Sequence, residues 1–405
     1  MRIGVIGTGQ FAGSFLGLWQ LHPEVSDITV TDLVPDRAEQ HRQRYGLAGT
    51  HASVEDLLAS DCDAVVVMTQ RWTHGELVLR ALDAGKHVYS AVPMSISVEE
   101  IEQIIAKVEQ TGLVYMMGET SYYNPAVVHA RRQLAAGAFG RVFYSEGDYV
   151  HDMDNGFYAA YQFSGGQDWK RTASYPPMLY PTHAVGGVLG ALPTYATSVS
   201  CLGVVDDRGD GVFDREVSMF GNDFSNMSAH FSLADGGVMR TNEFRRVGHP
   251  AAVHESRFRF YGTDAVMEQT STGASWSDRQ TIEDISELFY TTEGEAQHAA
   301  EELGGLDPAL LHSFASGSAK VHDRSRLPSE FDGARNGHEG SHHFLADDFV
   351  RAVVNRTQPP VNAWVAARFT VPGIIANESA HRNGERLAIP DFGSGPEVDR
   401  SLFGG

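Results

Sequence analysis

The residues with the clearest chemical promise stand at the start of the chain. Gly7-Thr8-Gly9-Gln10-Phe11-Ala12-Gly13 follows the apolar run Ile3–Ile6 and precedes a helical stretch. In the pattern Gly7-x-Gly9-x-x-Ala12 the first glycine permits a tight turn. The second lets the backbone approach a pyrophosphate, and the small third residue allows close helix–strand packing. The free N–H groups of the helix N-terminus then face the phosphates. Asp32 ends the next strand-like run at the spacing expected of a ribose-binding acid. Its carboxylate would accept hydrogen bonds from both ribose hydroxyls and repel a 2′-phosphate, which favours NAD over NADP. Arg37 is the counter-argument, because a nearby arginine can hold that phosphate. Thr69, Gln70 and His74, after the run Ala64–Met68, are expected to border the cofactor, together with Gln10, Phe11 and Pro93.

A second set of reactive side chains is scattered through the chain: Glu119, Tyr149, His151, Tyr180, His183 and His338. Tyrosine and histidine can pass protons where neighbours or a cationic ring lower their pKa. Glu119 ends the last strand of the alternating region, at the edge where α/β sites lie. His338 and His342 are four apart, the spacing of two ligands on one helix face. The glycines at 337 and 340 argue against a helix there, and no further ligand set accompanies the pair, so a substrate-binding loop is expected and no metal.

These groups need a scaffold. Strand-like runs at Ile3–Ile6, Asp27–Asp32, Ala64–Met68, Lys86–Tyr89 and Val114–Met117 alternate with helical segments, which predicts a doubly wound parallel sheet. Ser53 is an expected N-cap for a helix over Ser53–Ser60, and Gly85 an expected cap for the end of a helix over Glu76–Ala84. Ser97 and Glu100 have capping-box spacing, with Ile101, Ile104, Ile105 and Val108 as one apolar stripe and Gly112 as the stop. After Glu119 a helix near Val127–Ala136 leads into consecutive strands at Arg141–Tyr149, Ala196–Val204, Val217–Leu233, Gly237–Phe244 and Ser256–Tyr261. That change predicts an α/β domain with a large, mostly antiparallel open sheet. The expected division is a Rossmann domain over 1–120 and a substrate-binding domain over 121–405, with closing helices and tail near 344–405. Within the polar stretch Glu268–Asn336, short helices are expected at Glu295–Glu302 and Asp307–Ala315. Phe344–Val354 and Ala363–Ala376 read as the closing helices.

Composition narrows the function. The chain has 405 residues, 42% of them hydrophobic, and a formal net charge of −21. Such a surface repels phosphate backbones and anionic lipids, so nucleic-acid and membrane-surface roles are disfavoured. Two isolated cysteines, Cys62 and Cys201, make neither a metal motif nor a disulfide framework. Strand-like sequence from Arg2 and the lack of a long apolar run lead to the expectation of a cytoplasmic protein.

The glycine fingerprint with Asp32, and the segment Ala81-Leu82-Asp83-Ala84-Gly85-Lys86-His87-Val88, resembles the Gfo/Idh/MocA oxidoreductase family. The resemblance implies a Rossmann domain, a second domain with a large open sheet, and substrate held between that sheet and the nicotinamide. Many members oxidise a sugar hydroxyl with the lysine of a Glu-Lys-Pro motif, but here those positions read Ala91-Val92-Pro93. Leu179 likewise stands where family dehydrogenases usually have Asp. Glu119, Glu146-Gly147-Asp148-Tyr149-Val150-His151-Asp152, Leu179-Tyr180-Pro181-Thr182-His183, Gly337-His338-Glu339-Gly340 and Ile389-Pro390-Asp391-Phe392 look like glycoside hydrolase family 109.

That branch keeps NAD bound and hydrolyses glycosides, typically α-N-acetylgalactosaminides, without net redox. Its chemistry implies oxidation at C3, loss of the C2 proton, elimination of the glycosidic oxygen, water addition and re-reduction. By resemblance, Glu119, Tyr149, Tyr180 and His183 match active-site positions. His183 is expected to serve the C3 hydroxyl and Tyr149 or Tyr180 the C2 proton, the two tyrosines being inseparable by sequence. Glu119 would touch the nicotinamide ribose or the sugar, and Trp169 the cofactor. His151, Lys170, Tyr180, His183 and His338 would face the sugar, while His151 with Asp152 would alternatively fix the loop. Two other functions stay open: an NAD-dependent sugar dehydrogenase with net turnover of cofactor, and a non-catalytic NAD- or sugar-sensing protein. The resemblance also implies a homo-oligomer, dimer or tetramer.

Overall fold

Six short strands, Arg2–Ile6 (β1), Asp27–Thr31 (β2), Gly49–Thr50 (β3), Ala64–Val67 (β4), His87–Ser90 (β5) and Tyr115–Met117 (β6), pair in parallel in the order β3-β2-β1-β4-β5-β6. The computed structural model describes residues 1–9, 11–248, 255–291 and 317–403. The strand order reverses between β1 and β4, which leaves a crevice at the carboxyl ends of those strands. All four residues of β4 are buried, as a strand covered on both faces requires.

The helices that cover this sheet follow their local signals. They are Gly13–Leu21 (α1), Pro35–Tyr45 (α2), Val54–Leu58 (α3), His74–Asp83 (α4) and Val98–Thr111 (α5). Ser53 caps α3 by accepting the Asp56 N–H. α5 buries Ile101, Ile104, Ile105 and Val108 and stops at Gly112, whose φ is +67°. Each such buried side chain contributes about 1.5–3 kcal/mol. Ser97 caps α5 through the Glu100 N–H, but the return arm is relayed: the Glu100 carboxylate takes the Ser95 hydroxyl, and Ser95 Oγ accepts the Ser97 N–H.

Past Pro125–Ala135 (α6) the chain builds a nine-stranded sheet. Its strands are Val142–Val150 (β7), Ala196–Val205 (β8), Phe224–Leu233 (β9), Val238–Phe244 (β10), Ser256–Gly262 (β11), Ala265–Gln269 (β12), Ala274–Asp278 (β13), Ile282–Asp284 (β14) and Leu387–Ala388 (β15). The order is β14-β13-β12-β11-β7-β10-β9-β8-β15, antiparallel except between β7 and β10. The strand expected from Val217 starts only at Phe224. Turn chemistry explains the correction: Ser218 N–H bonds the Asp214 carbonyl, Gly221 has φ +60°, and Asn222 Oδ1 accepts the Phe224 N–H.

Between α6 and β8 lie Tyr158–Gly165 (α7), Trp169–Ala173 (α8) and Thr182–Ala191 (α9); the chain closes with Gly337–Asn355 (α10) and Ala363–His381 (α11). Both closing helices exceed their expected bounds. α9 lies hard against β7 because glycines face it. A Cβ on Gly147 would stand 2.5 Å from the Ala184 carbonyl oxygen, and one on Gly186 3.1 Å from Glu119 Cγ. No helix among the described residues is long and apolar enough to cross a membrane. The helices expected at Glu295–Glu302 and Asp307–Ala315 lie outside the described residues, as does Gln10.

Candidate active site

The crevice between β1 and β4 is shaped for a dinucleotide. Gly7 has φ +91°, and a Cβ there would meet the Met68 carbonyl oxygen at 2.7 Å, so only glycine fits. Gly9, two residues on, has nothing within 4 Å of its Cβ direction, leaving backbone that a pyrophosphate can approach. Asp32 is fixed beside this loop: Oδ2 accepts Thr8 N–H at 2.7 Å and Thr8 Oγ1–H at 2.8 Å, and Oδ1 accepts Val34 N–H at 2.8 Å. Arg37 stands 3.7 Å from Asp32 Oδ1, with its guanidinium 4.3 Å from the centroid of the Phe163 ring. His74 joins the two segments expected to border the cofactor, with Nδ1 2.7 Å from Pro93 O and Nε2 3.2 Å from Thr69 O. Burial lowers its pKa against the pull of those carbonyls. Gln70 opens the turn Arg71–Thr73. Phe11 meets His338 and His342 edge-on at 5.8 Å each, so the glycine loop touches the start of α10. The turn, the open Gly9 face and the fixed acid together fit a bound NAD.

At the edge of this crevice the structure brings together Glu119, His183 and Tyr180. Glu119 follows β6 and is fully buried. Its Oε1 accepts the Ser121 N–H at 2.7 Å and lies 2.8 Å from His183 Nδ1. His183 Nε2 lies 3.2 Å from Tyr180 Oη. The result is a carboxylate–imidazole–phenol chain. Tyr180 is placed by a short loop: Tyr175 Oη donates to Leu179 O at 2.8 Å, and the Tyr180 N–H bonds Pro177 O. Glu119 Oε2 is buried with no hydrogen-bond partner among the described residues. Burial works to raise the Glu119 pKa, but His183 and the hydrogen bonds outweigh it and hold the carboxyl below its ordinary range.

A second group flanks the first. On β7, Gly147 and Tyr149 share the face toward α9, as the two-residue period dictates. Glu146 and Asp148 point the other way and pair with Arg259. The Tyr149 ring lies 4.7 Å from that of His183. Its Oη is 3.2 Å from His151 Nδ1, which is also 2.5 Å from Glu255 Oε2. His151 Nε2 is tied to Asn155 O at 2.9 Å. Asp152 holds the same loop through the Asp154 and Val247 N–H groups. His338 Nδ1 and His342 Nε2 lie 2.8 Å apart, and the His338 ring stacks 6.4 Å from that of His183. His338, Glu339 and Gly340 are left-handed, with φ of 46°, 53° and 95°, before regular helix begins. Among the described residues no group of three or more His, Cys, Asp or Glu could hold a metal.

Burial sets the resting charges. It pushes Tyr180 up to about 12 against the pull of Arg71, and Tyr149 well above the usual phenol range with Glu255 adding to the effect. Both are neutral phenols at rest. Burial holds His338 down to about 4. Glu255 is held down to about 2, because His151, His338 and His183 outweigh the burial that works to raise it. Glu243 goes the other way, up to about 8, burial prevailing over Arg245.

Trp169 and Lys170 sit apart on α8. Trp169 meets Tyr158 edge-on at 5.7 Å, while Lys170 is exposed and donates to Asp210 O at 2.7 Å. Sequence reasoning missed Arg71, Glu255, Glu243 and Arg245. Arg71 directly follows Thr69-Gln70, so its neighbours had marked the place. Glu255 belongs to no motif, and only the pairing of β11 with β7 carries it to the site.

Residues 1–119 match the profile of an oxidoreductase family with an NAD-binding Rossmann fold, GFO_IDH_MocA. A glycosyl hydrolase family 109 protein of Streptomyces niveus is 25% identical, over 98% of this chain and 78% of its own length. One from Saccharopolyspora erythraea is 28% identical, over 98% and 84%. Among solved structures, a levoglucosan dehydrogenase in complex with NADH and levoglucosan has a TM-score of 0.71 at 15% identity, covering 96% of this chain and 100% of its own. Its first 119 residues are thus similar to the NAD-binding Rossmann region of the Gfo/Idh/MocA oxidoreductase family, and along nearly its whole length the chain is similar to glycosyl hydrolase family 109 proteins.

Proposed function

We propose that the protein is an NAD-dependent glycosidase that cleaves its sugar substrate without net oxidation or reduction. The observation that carries this is the Glu119–His183–Tyr180 chain, set at the mouth of the dinucleotide crevice in a protein whose Lys-Pro position holds the buried Val92. The glycosyl hydrolase names of relatives spanning 98% of the chain support the same reading.

Bound NAD would supply reversible oxidation at C3 of the sugar, which acidifies the C2 hydrogen and opens elimination of the glycosidic oxygen. The protein handles protons and position. Glu119 accepts from Nδ1–H of His183 and so leaves Nε2 as the basic nitrogen. Nε2 takes the C3 hydroxyl proton, either directly or through Tyr180 Oη, and Glu119 stabilises the imidazolium that results. Tyr149, kept protonated by burial, gives its proton to the departing oxygen, and the phenolate it becomes takes the C2 proton, so that the phenol is restored as the C1–C2 double bond forms.

The test is incubation of purified protein, with no added cofactor, with nitrophenyl α- and β-glycosides. Nitrophenol release without accumulating NADH is expected. No release, together with NADH formed from free sugars once NAD is supplied, would replace the glycosidase with a sugar dehydrogenase. Asp32→Ala should narrow the preference for NAD over NADP by about tenfold or more, measured as two dissociation constants; an unchanged ratio would leave Asp32 as a cap for the glycine loop only.

A further inference from the structure

Among the described residues, Arg71 has no carboxyl group within ion-pair distance. Arg71 Nη1 donates to Tyr161 Oη at 2.7 Å, and its guanidinium lies 4.4 Å from the centroid of the Tyr180 ring and 5.3 Å from that of Tyr175. The groups around it are phenols. Neighbouring Arg245 differs in having a carboxyl group, that of Glu243, within hydrogen-bond distance at 2.8 Å. Both arginines line one pocket with Phe157, Tyr161, Tyr175 and Tyr180. Tyr180 is also the phenol of the proton chain, so whatever fills this pocket lies beside the reacting centre.

A guanidinium carries five N–H donors in a rigid planar fork and stays charged in any surroundings. Tyr161 takes one of those donors. Enclosing such a charge among aromatic rings without an anion is costly, and a second arginine on the same pocket adds repulsion. The pocket has room for about one water molecule, so it admits a carboxylate against the fork, which matches its two oxygens, and leaves the sugar ring outside.

We propose that Arg71 determines specificity by receiving a carboxylate carried on the sugar, so that the substrate is a glycoside of a sugar acid such as a hexuronic acid. For the reaction this rests on the glycosidase reading above; for binding it does not. The carboxylate would lie against the Arg71 fork, with the ring carbons toward Tyr180 and His183.

The first measurement is calorimetric titration of the wild-type, NAD-loaded protein with glucuronate and galacturonate, and with glucose and galactose as neutral counterparts. At least one acid should bind roughly 30-fold or more tightly than its neutral counterpart, the scale of losing one partner of a buried, hydrogen-bonded charge pair. That preference should vanish in Arg71→Gln and return only in part in Arg71→Lys, which restores charge but not the fork. NAD affinity of each variant reports that it is folded. With nitrophenyl glycosides, Arg71→Gln should raise KM for the hexuronide far more than KM for the matching neutral glycoside. Neutral sugars binding as tightly as the acids, or an acid preference that survives in Arg71→Gln, would overturn the proposal. Acids that bind through Arg71 while no nitrophenol is released would uphold it and remove the glycosidase reading. Neutral glycosides cleaved while acids fail to bind would do the reverse.

Discussion

Two histidines in the site each sit beside a glutamate and a tyrosine, yet they are wired differently. His183 uses its two nitrogens for two partners, Nδ1 for Glu119 and Nε2 for Tyr180. His151 presents the single nitrogen Nδ1 to both Glu255 and Tyr149, and its Nε2 is committed to the Asn155 carbonyl. A proton leaving Tyr180 has a basic nitrogen to enter and a carboxylate behind the ring to stabilise the charge. A proton leaving Tyr149 meets a nitrogen that already faces a carboxylate. In the proposed mechanism the same three residue types make a path for a proton in one place and a clamp in the other. Which nitrogen faces which partner decides the difference.

The sharpest break of this comparison is a pair of alanine variants. His183→Ala should lower kcat by about 10³-fold or more while NAD binding persists, as expected for loss of a general base. His151→Ala should cost about tenfold or less. Equal losses would erase the distinction between path and clamp. Glu119→Gln comes next: without the carboxylate His183 loses its fixed tautomer and the partner of its imidazolium, and kcat should fall by about 10²-fold or more with substrate KM little changed. Tyr180→Phe against Tyr149→Phe tests the phenols. The first should flatten the basic dependence of kcat on pH, and the second should slow cleavage most for substrates with poor leaving groups; the opposite pattern would exchange their roles.

The smallest effect on turnover concerns the clamp. Glu255 is held at about 2 against an ordinary 4.5, so the stability it contributes is present above about pH 4.5 and is lost as the pH falls toward 2. The wild type should therefore lose unfolding free energy more steeply over that interval than Glu255→Gln, which denaturant melts at several pH values would measure. Parallel curves would mean that Glu255 and His151 do not form a stabilising pair.

Much of the nucleotide half was legible in sequence because its signals are local. Gly7, Gly9 and Asp32 act through turn geometry within one βαβ unit, and Ser53, Ser97 and Gly112 mark helix ends within a few residues. The proton chain was legible as a set of residues, since Glu119, Tyr180 and His183 were singled out, but not as a chain. The order of contacts depends on α9 pressing against β7 through Gly147 and against Glu119 through Gly186. Sequence also left Tyr149 and Tyr180 equivalent; in the structure Tyr149 faces His151 Nδ1 and Tyr180 faces His183 Nε2. Glu255 and Arg245 were invisible because strands distant in sequence carry them to the site, with no motif of their own. Val217–Asp223 misled because apolar residues beside a strand read as strand, while Asn222 and Gly221 had already turned the chain.

The central claim, that a proton path through His183 serves cleavage without net redox, is tested most directly by running the reaction in heavy water and locating the label in the released sugar. Deuterium at C2, with nitrophenol released in step and no NADH left over, is the predicted result. Cleavage that leaves C2 unlabelled, under conditions where the released sugar does not exchange by itself, would contradict elimination and with it the account of the site.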